Sequence, residues 1–204
     1  DTYRVLSAVD AAVIVLDAAK GIEPQTLKLF QVARARGIPL LTFVNKCDRP
    51  GLGALDLVDE VESQLGIVAT PVTWPVGMGS DFKGVIDRRS GGVWEYERAS
   101  HGATRLVESE ALDRALSDYG EVGTVAAGEI ELLDAVGADH DQKRFLVGET
   151  TPMFFGSALW NFGIRLILDA IVDLGPAPSP LFDREGASHP VTSAFSGFVF
   201  KVQA

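Results

Sequence analysis

The 204-residue sequence is short of cysteine, methionine, histidine and positive charge. It has one Cys, two Met and three His, and 18 Lys and Arg stand against 28 Asp and Glu. A single thiol, Cys47, excludes an intrachain disulfide and fits a reducing compartment. His101, His140 and His189 lie scattered on polar stretches without metal-ligand spacing, so they read as surface residues rather than a metal centre. The net charge of −10 argues against sequence-independent binding to a phosphate backbone. No apolar run reaches membrane length, and no secretory leader pattern is present. The opening residues, Asp1 to Arg4, include no initiator Met and run straight into an apolar stretch, as an internal piece of a longer protein would.

What is present is a core-forming chain, 47% hydrophobic, long enough for one large domain or one and a half. Its organising stretch is Pro39 to Asp48, where an apolar run closes on Asn45-Lys46-Cys47-Asp48. A run apolar on both faces predicts a strand buried in a parallel sheet. Polar groups just past the carboxyl end of such a strand fall in the crevice where open α/β sheets bind ligands. A carboxylate at Asp48 can accept two parallel N–H bonds, which suits the N1–H and N2–H₂ edge of guanine. Adenine has no donor at N1 and would be refused. Asn45 can tie the turn to neighbouring loops and reach the acceptor side of the base, and the Lys46 stem can lie flat on the ring. Cys47 sits between them with a packing role.

Around this stretch, Ala11 to Asp17 predicts a second buried strand. A helix runs from Pro24 toward Gly37, and the unit is strand, helix, strand. Leu55, Val58, Val61 and Leu65 recur at helical spacing up to Gly66. Two prolines make the run from Ile67 to Val76 interrupted or an edge. Gly84 to Asp87 and Val93 to Tyr96 predict a hairpin split by Arg88 to Gly92. Lys83, Arg88 and Arg89 form the one compact basic cluster, read as a solvated hairpin ahead of an RNA contact. Helices are expected over Leu106 to Tyr119, Val125 to Val136 and Asp141 to Val147. Acidic residues dominate there, which predicts a solvated face or a docking surface for a basic protein.

A third apolar strand, Thr151 to Gly156, ends in Ser157-Ala158-Leu159. Asn161 is a candidate cap for the next helix, with Ile164, Ile167, Leu168 and Ile171 as its apolar stripe. Gly175 to Pro180 is a stiff linker, and Val191 to Val202 alternates as a first strand of a β domain would. Trp74, Trp94 and Trp160 are expected to pack rather than to stack on nucleic acid.

Ser157-Ala158-Leu159 resembles the second guanine loop of translational GTPases, in which a backbone N–H after the Ser or Thr donates to guanine O6. With Asn45 to Asp48, the stretches Asp17 to Gly21, Thr73-Trp74-Pro75-Val76-Gly77, Phe82-Lys83-Gly84-Val85 and Phe154 to Leu159 with Asn161-Phe162-Gly163 resemble the bacterial release-factor-3 family of those GTPases. The resemblance implies an α/β fold. Its core is a partial P-loop GTPase-type parallel sheet flanked by helices, with an inserted α+β subdomain and the first strand of a β-barrel domain. The expected division is residues 1–76 and 151–174 for the GTPase core, 77–150 for the insertion, 175–190 for the linker and 191–204 for the barrel.

The resemblance further implies GTP or GDP as ligand, held at Asn45, Lys46, Cys47, Asp48, Ser157, Ala158 and Leu159. It also implies Mg²⁺ in the complete protein and a cytoplasmic location. The ribosome, its stalk protein and decoding release factors are the implied partners, with no membrane and no sequence-specific nucleic acid. An elongation-factor-G-like GTPase and a non-enzymatic docking module are the competing readings. The sequence contains no G-x-x-x-x-G-K-S/T phosphate loop and no D-x-P-G-H segment. The chain is therefore expected to hold the base-recognition half of a GTPase site, with no catalytic residue and no metal ligand.

Overall fold

The computed structural model describes residues 5–95, 109–111, 115–182 and 185–195, together with residues 197, 199 and 202. Its centre is a parallel sheet of β1 (Ala12–Asp17), β2 (Leu40–Asn45), β3 (Val68–Pro71) and β8 (Thr150–Phe155), in the order β1-β2-β8-β3. Every residue of β8 and all but Asn45 of β2 are buried, as expected for strands covered on both faces. Helix α1 (Pro24–Ala35) links β1 to β2, opening with Pro at its first position and burying Phe30 and Ala33. Helix α2 (Ala54–Leu65) links β2 to β3 and stops at Gly66, whose left-handed φ of 64° suits glycine. Leu57, fully buried on α2, is one contact that the helical spacing alone did not single out.

A proline inside the central strand β8 calls for a local repair, because Pro152 has no N–H to give the ladder. The β2–β8 register begins one residue later, at Thr42 with Met153. Thr151 fills the gap, its Oγ1 donating to the Leu40 carbonyl at 2.8 Å. With that hydrogen spent, Thr42 Oγ1 must be the donor in its 2.8 Å bond to Thr151 Oγ1. Two buried hydroxyls thus stand in for one missing amide.

The run holding two prolines is both interrupted and at an edge. The chain leaves β3 at Pro71, turns at Val72, and enters β4 (Thr73–Val76), an edge strand of a second, antiparallel sheet. That sheet continues through β5 (Gly84–Asp87), β6 (Val93–Glu95) and β7 (Ser109–Ala111). Residues 73–76 are therefore hydrogen-bonded within the second sheet, ahead of the boundary expected at residue 77. Two contacts of the Thr-Trp-Pro piece fasten the sheets together. Thr73 Oγ1 accepts from Phe155 N at 2.9 Å, and the buried Trp74 ring meets Phe155 edge-on at 5.3 Å. The Trp74 indole N–H reaches Glu129 Oε2 at 2.9 Å, tying in helix α3 (Glu121–Ala135).

Three expectations need correction. The helix expected over Leu106 to Tyr119 is instead strand β7 and a 3-10 turn at Leu116–Tyr119, with residues 106–108 and 112–114 outside the described set. Pairing with the open edge of β6 outweighs helix propensity there. Asn161 does not cap the last helix. It closes a 3-10 turn, Ala158–Trp160, in the left-handed region, and α5 (Ile164–Leu174) begins after Gly163. Finally, α5 buries Leu166, Ile167 and Ala170, while Leu168 is 56% exposed and Ile171 39% exposed. The buried arc is thus rotated from the stripe read in the sequence.

Helix α4 (Gln142–Leu146) forms as expected, with the Asp141 side chain accepting from the N–H groups of Lys143 and Arg144. No strand occurs among the described residues of 191–202; the remainder of the expected β strand lies outside the described residues. Among the described residues, no helix is long and apolar enough to cross a membrane.

Of the basic cluster, Lys83 and Arg89 are exposed as read, but Arg88 is not solvated. The Arg88 side chain is only 6% exposed. Its Nη1 donates to the carbonyls of Pro71 (2.6 Å) and Ala138 (2.9 Å), and its Nη2 meets Asp134 and Asp139. Arg89 forms a forked pair with Asp87 through Nε (3.0 Å) and Nη2 (2.8 Å). That pairing is the main reason its guanidinium holds its proton more tightly than usual.

The β1 edge carries Val13 at 36% and Val15 at 58% exposure, and from Ala12 to Leu16 it has no charge or proline to blunt it. The 204-residue chain on its own is expected to self-associate through this edge. Light scattering checks this, and Val15→Lys should shift the population toward monomer. A wild-type chain monomeric at high micromolar concentration would show the edge to be harmless.

Candidate functional site

Parallel pairing brings the ends of three strands to one rim. Asp17 lies in register with Asn45, and Val44 with Phe155, so the loops after β1, β2 and β8 emerge side by side. The loops then bind one another through the backbone. Gly156 N donates to Val44 O at 2.9 Å, Cys47 N to Gly156 O at 3.0 Å, and Ala18 N to Asn45 O at 2.9 Å. Gly156 is required by this closeness. A Cβ there would stand 2.4 Å from the Phe162 carbonyl oxygen and 3.0 Å from the Phe43 ring.

Asn45 is the knot between the two predicted loops. Its Oδ1 accepts from Lys46 N and from Ala158 N, both at 2.8 Å. Two donors on one oxygen fix the amide's orientation, and its NH₂ is left to donate elsewhere. The Ala158 N–H is the one that the resemblance offers to guanine O6; in this structure it is held by Asn45.

Lys46 adopts a left-handed backbone, φ 70°, which is uncommon outside glycine. That turn sends its ammonium to Asp17 Oδ2 at 2.5 Å. The hydrogen bond from Lys46, helped by the Ala19 N–H, holds the Asp17 carboxyl below its ordinary value of 3.8. Asp17 was not singled out as a site residue from the sequence. Its in-register position beside Asn45 is the signal that could have found it.

Cys47 is fully buried, its thiol against the Val44 carbonyl at 3.5 Å. Burial pushes the thiol up to about 12, so it stays protonated and inert at neutral pH. The packing role read for it is what the geometry shows. Gly79 N donates to Cys47 O at 2.8 Å, and Phe82 meets Phe162 edge-on at 5.5 Å. The segment after β4 therefore braces both loops from one side.

Asp48 is 9% exposed and is the one buried carboxylate of the four-residue motif. Its Oδ2 accepts from the Trp160 indole at 3.0 Å, while Oδ1 is shielded from water and has no partner among the described residues. Ser157, fully buried at the head of the second loop, also has an Oγ with no partner among the described residues. Leu159 points outward, 67% exposed. Trp160 was read as a packing residue; the structure makes it a hydrogen-bond donor to Asp48 as well.

These residues fit the base of a guanine nucleotide, on the strength of a buried Asp48 oxygen with no partner among the described residues and an Asn45 amide whose oxygen is already taken, which leaves its NH₂ to donate. They do not fit a metal ion. Among the described residues no group of three His, Cys, Asp or Glu side chains could hold one.

The fold and the sequence have counterparts among known proteins. Residues 1–177 match the family model described as the elongation factor Tu GTP binding domain. A peptide chain release factor 3 from Symbiobacterium thermophilum is 47% identical over all of this chain, which covers 39% of that protein. The protein of the same name from Gloeobacter violaceus is 48% identical, again over the whole chain and 39% of the relative. The chain thus spans about two-fifths of the length of these curated relatives. A crystal structure from Thermus thermophilus superposes with a TM-score of 0.64 at 21% identity, covering 88% of this chain and 29% of that one, which shows the shared fold. The mixed α/β architecture, the parallel sheet flanked by helices and the match over residues 1–177 lead to one conclusion: the chain belongs to the elongation factor Tu GTP-binding domain family, the translational GTPases.

Proposed function

We propose that this chain is the guanine-recognition part of a ribosome-dependent GTPase that promotes removal of decoding release factors at translation termination. The observation that carries the base assignment is the buried Asp48 Oδ1, without a partner among the described residues, on the same short loop as Asn45, whose Oδ1 is occupied by two N–H groups so that its NH₂ is the side left for a ligand. Guanine is the base that matches this pair, with donors for Asp48 and an acceptor for Asn45. Ser157, Ala158 and Leu159 supply the second wall, and Lys46 and Cys47 hold the turn. The termination role is supported by the name that the relatives carry, peptide chain release factor 3.

Under this reading the phosphate-binding and Mg²⁺-binding groups, the switch residues and the contacts to the ribosome and its stalk protein belong to other parts of the complete cytoplasmic protein. The residues of this chain bind and orient the base and take no chemical step. The experiment is a titration of full-length protein with GDP and ADP, followed by GTP hydrolysis with and without ribosomes. A strong preference for GDP and a ribosome-stimulated rate are expected. Equal affinity for ADP would remove the base assignment, and a rate indifferent to ribosomes would remove the translational one.

A further inference from the structure

Asp48 presents two oxygens in different states. Oδ2 holds the Trp160 indole N–H at 3.0 Å, and Oδ1 is buried with no partner among the described residues. The donor comes from the 3-10 turn Ala158–Trp160, which Asn45 also grips through Ala158 N. The turn is pinned behind as well, since Ser157 N donates to Phe162 O and Phe162 N to Ser157 O, at 3.0 and 2.9 Å. Trp160 is thus presented to Asp48 by a braced turn rather than by a loose loop.

We infer that Trp160 is a specificity-determining residue of the base pocket, its indole N–H standing in for one of the two donors of guanine. The inference rests on the guanine reading of Asp48 given above. A buried carboxylate oxygen without a donor is costly, so Oδ1 favours any base that brings one N–H. Hypoxanthine brings only N1–H. In an ordinary two-oxygen site it leaves the second oxygen unpaired, and that mismatch is what rejects it. Here the second oxygen already has Trp160. The penalty for the missing exocyclic amino group is therefore reduced, whereas guanine must share Oδ2 with the indole or displace it. Trp160 narrows the gap between guanosine and inosine nucleotides from both sides.

The test is a titration of full-length protein with GDP and inosine diphosphate. In the wild type the preference for GDP is expected to be no more than about tenfold, the size of one ordinary hydrogen bond. Trp160→Phe keeps the ring and removes the N–H, and should widen the preference by a further factor of about ten, mainly through weaker binding of inosine diphosphate. Trp160→His, which retains a ring N–H, should stay nearer the wild-type ratio. A wild-type preference above about a hundredfold would overturn the inference without any variant. So would a Trp160→Phe protein with an unchanged ratio. Failure of the wild type to prefer GDP over ADP would instead strike the base assignment itself, so the two failures are distinguishable.

Discussion

Asp48→Asn in the full-length protein should lose GDP and GTP affinity by two to three powers of ten and gain affinity for xanthosine nucleotides. The substitution turns a double acceptor into one acceptor and one donor, in a site that is 9% exposed. Facing guanine, the new NH₂ meets the N1–H or N2–H₂ group, donor against donor. Each unpaired buried polar group costs about 1–3 kcal/mol, and the loss of a charged acceptor lies at the upper end. A total of about 3–4 kcal/mol corresponds to the stated factor. Xanthine carries a carbonyl where guanine carries an amino group, so the Asn amide meets it as donor to acceptor. The fold should survive, because Asn matches Asp in size and shape, and turning its single oxygen to N1–H gives up only the bond from the Trp160 indole. Paired titrations with GDP and xanthosine diphosphate check the exchange. Unchanged GDP affinity would mean that Asp48 does not face the base.

How much of this site the sequence disclosed follows from the physics of each part. The strands β2 and β8 were legible because a strand buried on both faces is written as one continuous apolar run. The loops after them were legible because their polar residues come at fixed short spacing. Contacts between residues far apart in the chain were not. Asp17 meets Lys46 across 29 positions and Trp160 meets Asp48 across 112, and only sheet pairing brings them together. Tryptophan is also ambiguous by nature, an apolar body with one donor, so Trp160 read as packing. Arg88 misled for a similar reason. A hairpin arginine looks solvated until the helices that bury it are in place. On α5 the apolar residues nearly encircle the helix, and periodicity alone could not choose which arc faces the sheet. The thiol of Cys47 was placed correctly because the residues flanking it claimed the polar work.

Arg88→Ala is expected to produce the largest loss of stability of any change outside the core. Arg88 sits just after β5, and its backbone N donates to the Val72 carbonyl at 2.9 Å. Its guanidinium gathers Pro71 at the end of β3 and Ala138 beyond α3, then reaches Asp134 and Asp139. It therefore fastens three things at one point: the edge of the parallel sheet, the antiparallel sheet and the helical pair above them. The two aspartates are more than half exposed, so their ion pairs contribute little on their own. The two carbonyls matter more, since truncation leaves them without a charged donor, at about 1.5–3 kcal/mol each. A loss of roughly 3–5 kcal/mol follows, which for a chain of this size lowers the midpoint of thermal unfolding by roughly 10 °C. Arg88→Lys should recover only part of it, because one ammonium cannot span the positions that the guanidinium fork reaches. Thermal melts of the wild type and both variants give the order Arg, Lys, Ala. A melting temperature for Arg88→Ala within about 2 °C of wild type would show that the junction is held by other contacts that cross it, those of Thr73 and Trp74 with Phe155 among them.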